Sequence, residues 1–560
     1  MKLKKIWQNG KVLLSRKQTN ILSAALVIMA TYALSMILGI LRERLLVTKF
    51  FACCRLSLDA YYAAFRLPDM IFQLVAIGAL SAAFIPVFSD YLEKKDENTY
   101  HFASSIINYL VIFFLILAVI IFVLSQPLSQ AITGSFTENQ VKLMAQMTRL
   151  MLFAQVLFLI SNFLSAIIQS HQRFLIPALS PVAYNIGIIS AILFFTPWWG
   201  IWAPVFGVIL GAFLHLFIQI PLVLRLGFSY SFILERKTPG VGEVFRLMLP
   251  RTVALAVYQI EATVAVFLAT SLPAGSLTMF YLAQRLMDLP VRLFGTPIGQ
   301  AALPTLSSQK AKGNLTDFQK TLISSLNQIL YLALPATAII LILRVPLVRL
   351  AYGAKSFPWH ATILTAKTVG IFSLAIFSQA TIQLLVRSFY ALHDTKTPFL
   401  IGTFSVVLNV ILAIILTFKL GWGILGLAAA TSTASLGHSL LLLFFLVRRI
   451  PHLLEKKLLV GWFKIALATF FTAVFLWLPM KLLDRFILDT TRTINLLILT
   501  IIASLIGFSI YLLFSVILKI PEVFAFAQLI RRLGHWQAVL KESEEMLTPN
   551  FDRKESGLGK

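Results

Sequence analysis

The sequence predicts an all-α polytopic membrane protein of about fourteen transmembrane helices, built as two six-helix lobes plus two extra helices. Three observations carry this. The 560 residues are 58% hydrophobic and only 13% charged, more apolar than soluble domains tolerate. The apolar residues come in blocks of twenty or more, the length a helix needs to cross a bilayer. A polar stripe on one early span returns about 219 residues later, in the second half of the chain, as an internal duplication requires.

The elements follow in order. Residues 1–19 form a basic tail with Lys2, Lys4, Lys5, Lys11, Arg16 and Lys17, which argues for a cytoplasmic start. MKLKK resembles the opening of a signal peptide, but the first apolar run has no small-residue cleavage site and is long enough to span. Residues 20–225 hold spans one to six. Span two, Leu58 to Leu92, exceeds the ~20 residues a crossing needs, so it is expected to tilt, bend at Pro68 or project into the cytoplasm. PLSQAITGSFTENQ after span three lacks Lys and Arg, as an external loop should. The connector 226–246 carries Arg236, Lys237 and Arg246.

Residues 247–448 hold spans seven to twelve. Between spans nine and ten, an external segment at 344–360 breaks the charge rule with Arg344, Arg349 and Lys355. Spans thirteen and fourteen lie within 449–518. Residues 519–560 are read as a cytoplasmic amphipathic helix, near 521–547, and a tail. Six spans per lobe is an even number, so the two copies share one orientation, a parallel repeat.

The formal net charge of +25 sits mostly in short loops and tails. It is read as a topology signal facing anionic lipid, and without a base-stacking or zinc module no nucleic-acid partner is expected. Cys53 and Cys54 are adjacent and suggest neither a disulfide framework nor a metal site.

The residues that can carry chemistry are charges at membrane depth. Tyr62, Arg66, Asp69 and Gln73 share one face of span two at i, i+4, i+7 and i+11. Tyr281, Arg285, Asp288 and Arg292 repeat that spacing in span eight, and span one adds Arg42 and Glu43. Intramembrane arginines mark cavities and substrate paths, and the planar guanidinium suits phosphate. Arg42, Arg66, Arg285 and Arg292 could together neutralise a pyrophosphate, with Glu43, Asp59, Asp69, Gln73 and Asp288 as supporting polar groups. The structural alternative is that Arg66–Asp69 and Arg285–Asp288 are i,i+3 pairs that satisfy one another.

Glu261 in span seven either couples transport to an ion or locks onto Arg285. Asn185 and Asn409 read as interhelical hydrogen-bond partners. The sequence contains no GxxxxGK[ST], HExxH or GxSxG motif, so neither a nucleotide-driven motor nor a hydrolase is expected.

The stretches SMILGILRERLLVTKFF, LDAYYAAFRLPDMIFQLVAIGALSAAFIPVFSDY, YLAQRLMDLPVRLFGTPIGQAALPTLS and RSFYALHDTKTPF resemble the MurJ (MviN) family of lipid II flippases. The resemblance implies a fold of the MOP exporter superfamily, with the lobes in a V-shaped arrangement around a cavity. It implies a transporter, not an enzyme, in the bacterial cytoplasmic (inner) membrane with both termini cytoplasmic. Its substrate is implied to be lipid II, the undecaprenyl-pyrophosphate-linked disaccharide-peptide, moved from inner to outer leaflet by alternating access.

The family's cavity arginines fall on Arg42 and Arg285, and its acidic positions on Asp59 and Asp288. A further family arginine falls on Met36 and the span-two arginine on Phe72, which leaves Arg66 and Arg292 to replace that charge. The carboxylates of the family's sodium site fall on Ala265 and Ala413, so Glu261 and Asn409 become the coupling candidates. No cofactor is expected, with membrane potential or an ion gradient as the driving force and membrane lipid and cell-wall synthesis proteins as partners. The alternatives are a flippase for another polyprenyl-linked oligosaccharide, a multidrug exporter of the same superfamily, and a non-transporting cell-wall scaffold.

Overall fold

The computed structural model describes residues 21–77, 84–94, 99–171, 173–234, 240–450, 453, 456–483, 489 and 492–524. The basic tail and all but the first four residues of the C-terminal amphipathic helix lie outside the described residues. Every described element is helical.

The first half contains α1 (Ile21–Phe50), α2 (Arg55–Ala64), α3 (Arg66–Phe72), α4 (Ile85–Lys94), α5 (Thr99–Val123), α6 (Ser125–Ala131), α7 (Glu138–Ser170), α8 (Leu175–Trp199), α9 (Trp202–Phe217) and α10 (Ile220–Arg225). The second half contains α11 (Val241–Thr270), α12 (Ser276–Pro290), α13 (Thr296–Ala311), α14 (Leu315–Tyr352), α15 (Trp359–Ser373), α16 (Ile376–Ala391), α17 (Lys396–Ile414) and α18 (Ile424–Arg449). Helices α19 (Lys456–Leu482) and α20 (Thr493–Ile517) follow and pack against α14.

Among the described residues nine helices are long and apolar enough to cross a membrane, and α15 with α16, bent by 42°, makes a tenth. The other four expected spans have particular histories. Of span one, side chains are described only from Thr31, and this part carries Arg42, Glu43, Arg44 and Lys49. Of span seven, the apolar stretch described is Leu255–Thr270. Span two is interrupted, and span eight changes helical form along its length. Pro68 has no N–H to give Ala64, so the ladder is interrupted between α2 and α3. A π-helical turn follows each stripe, at Gln73–Ile77 and at Val291–Gly295. Matching π turns at corresponding places in the two repeats are local features of the kind that accompany functional sites.

Two expectations change. Arg344 and Arg349 belong to the 38-residue α14, not to an external loop. Arg344 Nη1 donates to the Leu341 carbonyl at 2.6 Å, and Arg349 lies over the Trp359 ring, so only Lys355 stands in the connecting segment. Cys53 and Cys54 are bonded to each other in the turn between α1 and α2.

Helix ends follow their sequence signals. Thr137 and Gln140 cap α7 reciprocally, the capping-box arrangement. Gly275 precedes α12 with φ +90°, a conformation only glycine adopts freely. Having no side chain, it leaves the α12 N–H groups to another partner.

The largest apolar cluster runs through both halves, from Phe51 and Leu58 to Phe280, Tyr352 and Leu427. A second fills the first half around Phe84, Phe102 and Phe163 and takes in Val241, Val244 and Met248 from the start of α11. At the end where α1 turns into α2, the halves are tied together. Arg44 Nη1 donates to the Leu350 carbonyl at 2.5 Å, Ser356 Oγ to the Thr48 carbonyl at 2.8 Å, and Ser135 Oγ to the Thr270 carbonyl at 2.8 Å. Phe51 meets Phe357 edge to face with ring centroids 4.7 Å apart.

Candidate functional site

Helices α1, α2, α3, α11 and α12 bring the sequence-selected charges to the boundary between the halves. Arg42 of span one is largely enclosed, its side chain 14% exposed. Its Nη2 meets the Glu43 carboxylate at 2.6 Å and its Nη1 donates to Asn185 Oδ1 at 3.2 Å. Asn185 in turn donates to Ser35 and to the Pro181 carbonyl. The other Glu43 oxygen accepts the Tyr62 hydroxyl at 2.5 Å. Glu43 therefore neutralises Arg42 from within, and only Nε of the buried guanidinium has no partner.

The two repeated stripes serve different ends. In the first, Arg66 is buried and reaches across to α11. Its Nη2 donates to the Gln259 carbonyl at 2.8 Å and to Gln259 Oε1 at 2.5 Å, and its Nε donates to Thr263 Oγ1 at 2.9 Å. The Gln259 amide then donates to Gln73 Oε1 at 2.9 Å. Asp69 accepts from Gln155 of α7 at 2.6 Å. Arg66 and Asp69 lie within electrostatic reach without forming the i,i+3 ion pair, because each has a partner on another helix.

In the second stripe Arg285 is exposed, and among the described residues no hydrogen bond or ion pair holds it. It lies within electrostatic reach of Glu43, Asp69 and Asp288. Arg292, at the π turn, approaches Asp288 at only 3.7 Å with its side chain 62% exposed. The alternative pairing of Arg285 with Asp288 is thus replaced by a loose Arg292–Asp288 contact. The tyrosines at the head of each stripe, Tyr62 and Tyr281, face each other with ring centroids 5.8 Å apart. Phe72, where the span-two arginine was expected by resemblance, packs edge to face on Phe158.

Asp59 is buried away from these cations. Its carboxylate accepts from Gly275 N at 2.6 Å, Thr278 N at 2.9 Å and Thr278 Oγ1 at 2.6 Å. It supplies the cap that Gly275 cannot, and so joins α2 to the start of α12 across the boundary. Glu261 does not reach Arg285; its carboxylate accepts from the Asn409 amide, joining α11 to α17. Among the described residues no group of three or more His, Cys, Asp or Glu side chains could hold a metal ion.

Sequence reasoning singled out the charged members but not Gln155, Gln259, Thr263 or Thr278, which decide what the charges do. Their signal was available. Each is a polar residue inside an apolar helix, where an unsatisfied polar group is costly. The resulting arrangement presents one exposed, unpaired cation (Arg285), a second weakly held one (Arg292) and a third under an internal counter-ion (Arg42). Such a set can accept a compact polyanion.

The family described as Lipid II flippase MurJ matches residues 46–496. A protein of Thermotoga maritima named "Probable lipid II flippase MurJ" is 28% identical over 90% of this chain and 97% of its own length. One of Bdellovibrio bacteriovorus with the same name is 28% identical over 81% of this chain and 87% of its own. The solved structure "Lipid II flippase MurJ, inward closed conformation" superposes with a TM-score of 0.72 at 26% identity, covering 88% of this chain and 98% of that one. An inward-facing multidrug resistance MATE transporter of the MOP superfamily superposes at 0.58 with 15% identity, a likeness of fold alone.

Proposed function

The chain belongs to the lipid II flippase MurJ family, and from that premise we infer that Arg285 is the first group to take the pyrophosphate of lipid II during its transfer between leaflets. The protein is a multi-pass protein of the bacterial inner membrane, a transporter that flips lipid II. One observation supports the role of Arg285: it is an exposed cation of the repeated stripe that, unlike Arg292, carries no hydrogen bond or ion pair among the described residues.

Arg292 joins it by leaving the 3.7 Å contact with Asp288, whose weak geometry makes the exchange cheap. Arg42 follows when the pyrophosphate displaces Glu43, which keeps its hydrogen bond from Tyr62. Arg66 contributes by holding α11, not by touching substrate. Movement is by alternating access. The seam at the α1–α2 turn, read as external because the basic tail before span one is read as cytoplasmic, closes one face while the other loads. Glu261 and Asn409 form the coupling point to an ion gradient or the membrane potential.

Complementation tests this. In a bacterium depleted of its own flippase, the unaltered chain should restore growth and Arg285→Ala should not, at equal membrane levels. Rescue by both would refute the role of Arg285. A multidrug exporter is disfavoured because the exposed charge at the boundary is cationic, whereas a drug cation calls for carboxylates.

A further inference from the structure

The segment joining the two halves does not hang free. Residues 226–234, outside regular secondary structure, run along the first turns of α5 and are pinned to it by side chains. Tyr100 Oη donates to the Leu226 carbonyl at 2.7 Å, and Ser231 N donates to Ser104 Oγ at 3.2 Å. Asn108 Nδ2 donates to the carbonyls of Ser231 and Ile233, each at 3.0 Å, while its Oδ1 accepts the Tyr230 hydroxyl at 2.7 Å. Tyr109 Oη donates to the Leu234 carbonyl at 3.0 Å. Asn108 is 3% exposed with both amide hydrogens and its oxygen satisfied.

Exposure alternates along the segment's last four described residues. Ser231 and Ile233 are partly covered, whereas Phe232 and Leu234 face outward at 74% and 43% exposure; Tyr230, 58% exposed, turns its hydroxyl back to Asn108. A segment in water would present its polar side outward; this one presents its apolar side. An 18-residue stretch of the neighbouring α5 has a mean hydropathy of 3.1, and beyond this segment α5 exposes Phe113 and Ile116, so the outward row leads onto a lipid-facing surface. Non-helical backbone is tolerated beside the hydrocarbon only where its carbonyls are satisfied by protein, and Asn108 and Tyr109 satisfy three of them.

We propose that residues 226–234 form a strap seated in the membrane boundary, with Phe232 and Leu234 against the acyl chains of the adjoining leaflet and the Tyr230 hydroxyl held on Asn108. Aromatic side chains favour that boundary. The connector is thereby an anchor of the first half, not a loop in water.

Spin labels read this directly. Single cysteines at Phe232, Ile116 (lipid control) and Lys312 (exposed turn control) are placed in a Cys53→Ser, Cys54→Ser chain that still complements. The proteins are reconstituted in phosphatidylglycerol–phosphatidylethanolamine vesicles. Collision with oxygen and with a water-soluble nickel chelate is measured at each site. The strap requires Phe232→Cys to match Ile116→Cys, favouring oxygen over nickel. Nickel access equal to that at Lys312→Cys would overturn the proposal, placing the segment in water. Shielding from both reagents would also overturn it, in favour of a protein partner. Tyr109→Phe, which removes one pin without emptying the core, should shift the Phe232→Cys label toward nickel, and no shift would overturn the role of the pins.

Discussion

Arg66 and Arg285 occupy the same place in the two repeats, yet their removal should fail in opposite ways. Arg66→Ala deletes three hydrogen bonds to α11. The Gln259 carbonyl keeps the Thr263 hydroxyl as a donor at 2.8 Å, so the acceptor left stranded is Gln259 Oε1. Hydrogen bonds to a charged donor contribute about 1.5–3 kcal/mol each, and an orphaned buried acceptor costs about 1–3 kcal/mol. With one carbonyl still satisfied, the expected loss of stability is about 2–4 kcal/mol. Arg285→Ala breaks no bond among the described residues and should change stability by no more than about 0.5 kcal/mol. It removes a charge-assisted partner of the pyrophosphate, and about 2–3 kcal/mol of binding is a ~30–150-fold loss of affinity. Purified variants in detergent give both numbers, from thermal unfolding and from titration with lipid II. An unfolding temperature lowered equally in both variants, or an unaffected Arg66→Ala, would refute the division of labour between the stripes.

Other expectations follow from named contacts. Asp59→Ala strips the cap from α12 and should lower stability by about 2 kcal/mol, the upper end for a lost cap; thermal unfolding reads it, and Asp59→Asn, which keeps an acceptor, should recover part. At Gly295 an added Cβ would sit 2.6 Å from the Ala380 Cα, so Gly295→Ala should separate the π turn from α16 and cost about 1–3 kcal/mol. Asp394, between α16 and α17, is pushed up by burial. The Thr397 hydroxyl and N–H, the Arg449 guanidinium and the Lys396 N–H outweigh this and hold its carboxyl below the usual range. Its stabilising effect is therefore full at neutral pH and lost as pH falls through the lowered pKa; unfolding scans against pH should show this loss in the unaltered chain and not in Asp394→Asn. Glu261→Gln should leave lipid II binding intact and abolish the response of flipping in vesicles to an imposed ion gradient or potential; an unchanged response would remove Glu261 from coupling.

Local spacing made the stripes legible, because i, i+4, i+7 periodicity places Tyr62, Arg66, Asp69 and Gln73 on one face whatever the tertiary structure. The family, the helical class and the candidate cations followed from the same residues. The division between Arg66 and Arg285 was not legible, since it rests on partners far along the chain: Gln259 is 193 positions from Arg66 and Thr278 is 219 from Asp59. Helical spacing says which face a side chain shares, not which helix will lie against that face. The π turns were equally hidden, because Pro68 and Pro290 announce a disturbed ladder without saying what form it takes. Phe232 shows a third limit, since a connector read by charge is assigned to water and only the contacts of α5 reveal which way its side chains alternate.

Helix α11 belongs to the second half by chain order, yet it starts inside the first. Val241, Val244 and Met248 sit in the core built around Phe84, Phe102 and Phe163, and Arg66 grips the same helix further along. Each half thus lends structure to the other, in the manner of an exchanged segment between subunits. A fragment ending before Val241 would leave an open socket in its own core, so the first repeat is completed by the start of the second. A half-length ancestor with this architecture would have had to fold as a pair of copies, each completing the other.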